Sequence, residues 1–142
     1  FGDTVGVVSD SIFHLKRGKI YTIDEQKIFT MGGAYSHDKE YRKENVSWWV
    51  TEVPNQAERY MAIENLEKHN NSVDYVITHC AGKNTISKIS QYIDYDEYCK
   101  FLDIIDSKIT YKHWYFGHYH EDMNVDEKHT AVYNCVFKIG EK

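Results

Sequence analysis

Three of the chain's eight histidines stand where an apolar run gives way to polar residues. His79 lies in Val76-Ile77-Thr78-His79-Cys80, and His118 and His120 follow Trp114-Tyr115-Phe116-Gly117. Strand ends are where side chains converge on a cleft. In extended backbone, residues two apart project to the same side, so His118 and His120 are expected to face one pocket or two adjacent metal ions. Gly117 is read as leaving room for close approach. Imidazole suits several transition metals, so three rings alone do not name the ion. The competing reading is that each ring is an ordinary histidine satisfied by a carboxylate or carbonyl.

Further chemistry-bearing residues lie between these points. Arg42, with Asp38 in a charged stretch from Ser36 to Asn45, is the candidate for bidentate contact with a phosphate, against a solvated loop with local ion pairs. His37 in that loop is given no role. Trp48 and Trp49 are read as packing anchors in preference to a substrate platform. His69 falls near the end of a helix, where a cation favours the dipole, so a capping role is expected. His14, His113 and His129 lack partners by spacing and are read as structural. Glu121 and Asp122 could orient a ligating imidazole, although a surface turn is the expected place for them. Cys80 is read as a small buried side chain.

These residues need a scaffold, and the pattern supplies one. Val5-Gly6-Val7-Val8, Lys19-Ile20-Tyr21-Thr22-Ile23 and Lys27-Ile28-Phe29-Thr30-Met31 are β-branched or aromatic runs, and Asp24-Glu25-Gln26 suits a hairpin turn. Gly32-Gly33 then lets the chain turn sharply into a loop over one end of the sheet. Asn55 caps a helix, with Glu58 three residues on and Ala57, Tyr60, Met61, Ile63 and Leu66 as its apolar face, ending near Asn70-Asn71. A strand over Val73 to Thr78 follows, then loop or irregular helix over Lys83 to Gln91. From Asp96, the recurrence of Tyr98, Phe101, Leu102, Ile105 and Ile109 predicts a second helix. Strands are expected again over Lys112 to Phe116 and Ala131 to Phe137, with a turn near Asn124 to Glu127. Strands mixed with two helices make an α/β or α+β layout.

The 142 residues fit one domain with a packed core. A formal charge of -5 argues against general electrostatic binding to nucleic acid or to an anionic membrane. No apolar stretch approaches the ~18 residues that span a bilayer, and the start lacks a signal-peptide layout, so a soluble protein is expected. Three cysteines without a CxxC pair fit reduced thiols in a cytoplasm. A chain opening on Phe1 is expected to have been cut or processed.

Thr78-His79-Cys80 after a hydrophobic strand, and Gly117-His118-Tyr119-His120 after Trp114-Tyr115-Phe116, resemble the last two metal-binding motifs of the calcineurin-like metallophosphoesterases, in order and separation. The stretch from Met31 to Arg42, with Ser47-Trp48-Trp49 and Glu52-Val53-Pro54, is similar to the middle of a bacterial, serine/threonine phosphatase-like branch of that family. The resemblance spans nearly the whole chain. It implies that residues 1–142 are the C-terminal half of a four-layer αββα sandwich, mainly one mixed sheet with flanking helices. It also implies a centre of two divalent metal ions (Mn, Fe, Zn or Ni), with His79 and His118 on one ion and His120 on the other. Such a centre polarises a phosphoryl group and lowers the pKa of water, so that hydroxide attacks phosphorus in line with the leaving group.

The family's first three motifs, an Asp-x-His, a Gly-Asp and a Gly-Asn-His, are absent; Val5 stands where Gly2-Asp3-Thr4-Val5-Gly6 would need a histidine. Ala81-Gly82 replace prolines that commonly follow the Thr-His motif. Three neutral imidazoles cannot neutralise two divalent cations, so the isolated chain is expected to be inactive. The implied function is hydrolysis of phosphate mono- or diesters by the full-length protein, on a phosphoprotein, a nucleotide or a small metabolite. Loss of an N-terminal half should uncover apolar surface, so self-association or marginal stability is expected unless the missing half or a partner covers it. Two alternatives remain open. One is a non-catalytic binding or regulatory module on the same scaffold. The other is a small protein with a structural zinc site using His79, Cys80, His118 or His120.

Overall fold

A computed structural model describes residues 1–36, 38–90, 96–136 and 138–140, and shows a mixed α/β chain. Its centre is a six-stranded mixed sheet, ordered β3 (Lys19–Ile23), β4 (Gln26–Met31), β5 (Tyr75–Thr78), β6 (His113–Phe116), β8 (His129–Ala131) and β7 (Met123–Asn124). β4, β5, β6 and β8 run parallel, and β3 and β7 close the two edges antiparallel. The β3–β4 turn forms because Asp24 and Glu25 both adopt left-handed backbone, at φ 46° and 63°, whose twist matches that of the flanking strands. β1 (Gly6–Ser9) and β2 (Ile12–His14) make a separate hairpin, tied to β3 where Thr22 N–H donates to the Phe1 carbonyl at 2.8 Å.

The parallel strands are joined by helices. α1 (Gln56–Lys68) connects β4 to β5; Asn55 Oδ1 accepts from Glu58 N–H at 3.0 Å, and Glu58 Oε2 accepts from Asn55 N–H at 2.9 Å, a reciprocal cap. It stops at His69, followed by left-handed Asn70 and Asn71. The expected apolar face of α1 is corrected: Ala57 and Tyr60 are exposed, and Ala62 and Leu66 are the buried residues. The one-turn α2 (Lys83–Ile86) and the longer α3 (Glu97–Lys108) connect β5 to β6. Asp96 caps α3 through Oδ1, which accepts from Tyr98 and Cys99 N–H at 2.7 and 2.8 Å, and Tyr98, Phe101, Leu102 and Ile105 are buried as their spacing predicts.

Register places one row of side chains against these helices. Ile20, Phe29, Val76 and Trp114 lie side by side on neighbouring strands, as do Met31, Thr78, Phe116 and Ala131 one pleat further on. All but Thr78 belong to a single core cluster with Leu66, Tyr98, Leu102 and Ile105. The opposite face carries Ile28, Tyr75, Ile77 and Tyr115. Val7, Val8, Ile12 and Phe13 of the hairpin are exposed. No helix among the described residues is long and apolar enough to cross a membrane.

Of the strand expected over Ala131 to Phe137, only Ala131 belongs to a strand among the described residues, and β8 begins earlier, at His129. β8 ends at Ala131, because the Asp122 carboxylate accepts from the amides of Tyr133, Asn134 and Cys135 at 2.7, 2.9 and 3.2 Å and draws that backbone out of the ladder. Phe137 and Gln91, where two expected segments end, lie outside the described residues.

His129 is buried, and the expectation that it lacks partners by spacing is corrected: Asp126 stands three residues before it and Tyr111 eighteen. Its ring is 6 % exposed; Nδ1 stands 2.8 Å from Asp126 Oδ1 and Nε2 stands 3.1 Å from the Tyr111 hydroxyl, which donates to Asp106. Burial acts to raise the Asp126 carboxyl, but hydrogen bonds from Lys88, the Lys128 amide and His129 outweigh it and hold the group well below the usual carboxylate range. A carboxyl depressed in this way contributes stability that is present above its unfolded pKa of about 3.9 and lost as pH falls through the folded value. Asp126→Asn should therefore lower stability at neutral pH and flatten the acid limb below about pH 4, read by urea midpoints between pH 2 and 7. An unchanged acid limb would remove Asp126 from that role.

Candidate metal and phosphate site

All four parallel strands end at the same edge, and the residues just beyond three of them, β4, β5 and β6, line a cleft. Gly32 and Gly33 follow β4, His79 follows β5, and Gly117 to His120 follow β6. The cleft encloses about 890 Å³ and is lined also by His14, Arg17, Ala34, Ser36, Asp38, Arg42 and Glu52. This is the place where open parallel sheets bind ligands.

The backbone around His79 is held from three sides. Gly117 N–H donates to the His79 carbonyl at 3.0 Å, extending the β5–β6 ladder by one step. Inside the core, Trp114 Nε1–H donates to Thr78 Oγ1 at 2.7 Å, and that hydroxyl donates to the Cys80 carbonyl at 2.6 Å. The Cys80 thiol donates to the Gly33 carbonyl at 3.5 Å and is buried, so it stands outside the cleft wall.

His79 and His118 come together. Nε2 of the first and Nδ1 of the second are 3.3 Å apart, with the rings edge to face at 5.0 Å. His120 lies on the same cleft but stacks on Tyr133, centroids 4.6 Å apart and planes at 25°. The expected alternation of His118 and His120 along a strand is corrected: β6 stops at Phe116, and the two histidines have left-handed backbone at φ 75° and 55°. A turn, not a pleat, sets their directions. Gly117 is also not forced by crowding, since a Cβ there would meet its neighbours at 3.6 Å or more, ordinary contact.

His79 is exposed on the cleft, yet its partial desolvation lowers its pKa, opposed by the Glu52 carboxylate and aided by His120, which favours the neutral ring. Two imidazole nitrogens on one tetrahedral zinc, at about 2.0–2.1 Å each, stand about 3.3 Å apart. The His79–His118 pair has that separation, which is also that of a hydrogen bond between the two rings. Among the described residues, no group of three or more His, Cys, Asp or Glu stands ready to hold a metal ion.

Arg42 reaches the cleft wall, where Nε donates to Asp38 Oδ2 at 2.7 Å and a terminal nitrogen donates to the Ser47 carbonyl at 3.1 Å. His37 lies outside the described residues. His69 caps α1 as expected, its Nδ1 2.9 Å from the Asn65 carbonyl. Trp49 is exposed, which corrects its reading as a packing anchor, whereas Trp48 is half-buried with Lys39 over its ring.

Four cleft residues carried no signal in the spacing. His14 enters from the β1–β2 hairpin. Arg17 grips Glu58 with Nε and a terminal nitrogen at 2.8 and 2.7 Å, and donates to the carbonyls of Thr51 and Glu52 at 2.9 and 3.2 Å. Glu52 accepts from Ser36 Oγ–H at 2.9 Å and from Trp49 N–H at 3.1 Å, which turns its carboxylate toward the cleft. Glu52 and Ser36 were visible only as parts of the family-like stretch, with no role attached.

No family model matches the chain, and no curated protein or solved structure shows significant similarity to it.

Proposed function

We propose that this cleft is the metal- and phosphate-binding face of a metallophosphoesterase of the calcineurin-like type, and that the full-length protein hydrolyses phosphate mono- or diesters. The observation that carries the reading is the His79–His118 pair, 3.3 Å apart at the C-terminal edge of a parallel sheet, in a cleft whose wall also holds Arg42. Divalent cations bound there would polarise a phosphoryl oxygen and make a water acidic enough to attack phosphorus. The chain's own residues do the rest. His79 and His118 would hold one cation, His120 would serve a neighbouring one, and Arg42 would meet a phosphate oxygen from the loop.

The sheet's second face supports the sandwich architecture. Ile77 and Tyr115 are only half-buried there, the kind of apolar surface that a second sheet covers, while Ile28 and Tyr75 are already buried within the chain. The free thiols Cys80, Cys99 and Cys135 accord with a reducing, cytoplasmic setting.

Three neutral rings supply no negative charge, and the cleft's carboxylates are already engaged, Asp38 by Arg42 and Glu52 by Ser36 and the Trp49 amide, so the 142-residue chain should show no turnover of 4-nitrophenyl phosphate with Mn²⁺ or Zn²⁺ beyond that of His79→Ala. A stoichiometric dinuclear centre with turnover in this chain would overturn the reading that the carboxylate donors lie elsewhere.

A further inference from the structure

A second, smaller cavity opens beside the cleft. It encloses about 160 Å³, is walled by Tyr35, Trp48, Trp49, Val50 and Val53, and shares Ala34, Ser36 and Glu52 with the main cleft. We propose that this cavity is a leaving-group subsite that receives a planar aromatic ring attached to the phosphate. The inference rests on the reading of the main cleft as the phosphate site and adds the class of substrate.

Four observations carry it. Trp49 and Tyr35 leave 45 % and 44 % of their surface to water, although the core takes other large aromatics such as Trp114 almost completely. Exposed indole and phenol rings beside a polar cleft are stacking platforms, because every planar ring has a compatible face. Lys39 Nζ lies 4.2 Å over the Trp48 ring and so covers that face, leaving Trp49 as the open one.

The cavity is well below the ~300 Å³ at which pockets take a whole drug-sized ligand, so it suits one ring system. The Glu52 carboxylate lies on both cavities, with Ser36 Oγ–H and Trp49 N–H on its oxygens. His79, His118 and Arg42 line the main cleft alone, which is where the phosphate is placed, and Trp49 lines the small cavity alone, which is where the ring is placed.

The platform is also preorganised. The Trp49–Glu52 turn is anchored by Arg17, which donates to the Thr51 and Glu52 carbonyls while paired with Glu58 of α1. A wall fixed in this way loses little freedom when a ring stacks on it.

Calorimetric titration of the 142-residue chain with phenylphosphonate and methylphosphonate, in the presence of Zn²⁺, tests the ring alone because neither ligand is hydrolysed. Phenylphosphonate should bind about 10-fold more tightly, and Trp49→Ala should bring the ratio near 1. Adenosine 5′-monophosphate against ribose 5-phosphate repeats the comparison for a nucleobase, and the larger of the two preferences identifies the ring. Equal affinities within both pairs in the unmodified chain would overturn the subsite and leave the phosphate reading standing. Failure of every ligand to bind would overturn both. A preference that survives Trp49→Ala would overturn the assignment of the platform.

Discussion

Gly33→Ala should destabilise the fold by about 2–5 kcal/mol, with a lower urea midpoint and an unchanged m-value. Gly33 has φ 102°, a backbone conformation that a side chain resists, and a Cβ there would overlap the Glu52 carbonyl oxygen and come within 3.0 Å of Pro54 Cδ. Both are backbone or ring atoms, so neither can swing aside. The glycine is needed because the loop after β4 must pass under the Glu52 turn to bring Ala34 and Ser36 to the cleft. Gly32→Ala is the control, since a Cβ at Gly32 meets nothing within 4 Å. It should change stability by less than about 0.5 kcal/mol. Equal effects at the two positions would contradict this account of the loop.

A loss of about 3–5 kcal/mol is expected for Trp114→Ala, the cost of deleting a large, fully buried side chain. Trp114→Phe separates packing from hydrogen bonding. It keeps most of the ring but withdraws the N–H from Thr78 Oγ1, and should cost about 1–3 kcal/mol. The same hydroxyl holds the Cys80 carbonyl, so the backbone on either side of His79 should loosen with it. Faster amide exchange at His79 and Cys80 in Trp114→Phe, with α1 unaffected, is the readout. A uniform increase across the chain would mean that only global stability had changed.

Local signals made part of this fold legible. The capping residues Asn55 and Asp96 mark their helices because a cap is a contact within three residues, and the Asp24-Glu25 turn marks its hairpin for the same reason. The helical recurrence of Tyr98, Phe101, Leu102 and Ile105 survives into the structure because α3 lies against the sheet along its length. His79 is legible as a candidate because a parallel strand buried on both faces, as β5 is, stops where its apolar run stops.

What failed depended on residues far apart in the chain. Tyr60 reads as core by spacing, yet α1 meets the sheet through Ala62 and Leu66. The strand expected from Ala131 onward does not continue past that residue among the described residues, because Asp122 captures three later amides, a competition that no strand propensity records. The His118–Tyr119–His120 alternation assumed extended backbone, and the left-handed turn after β6 pairs His118 with His79 and His120 with Tyr133. Arg17 and Glu52 entered the site through hydrogen bonds spanning tens of residues, for which the sequence carries no period.

The gathering of a divalent cation by His79 and His118 is tested most directly by histidine ¹⁵N resonances during a Zn²⁺ titration of the chain. The account predicts that Nε2 of His79 and Nδ1 of His118 shift together, in one step, and that either alanine replacement weakens the binding by about 100-fold or more. Zinc that moves neither ring, or that perturbs His14, His69 or Cys135 while the pair stays unchanged, would contradict it.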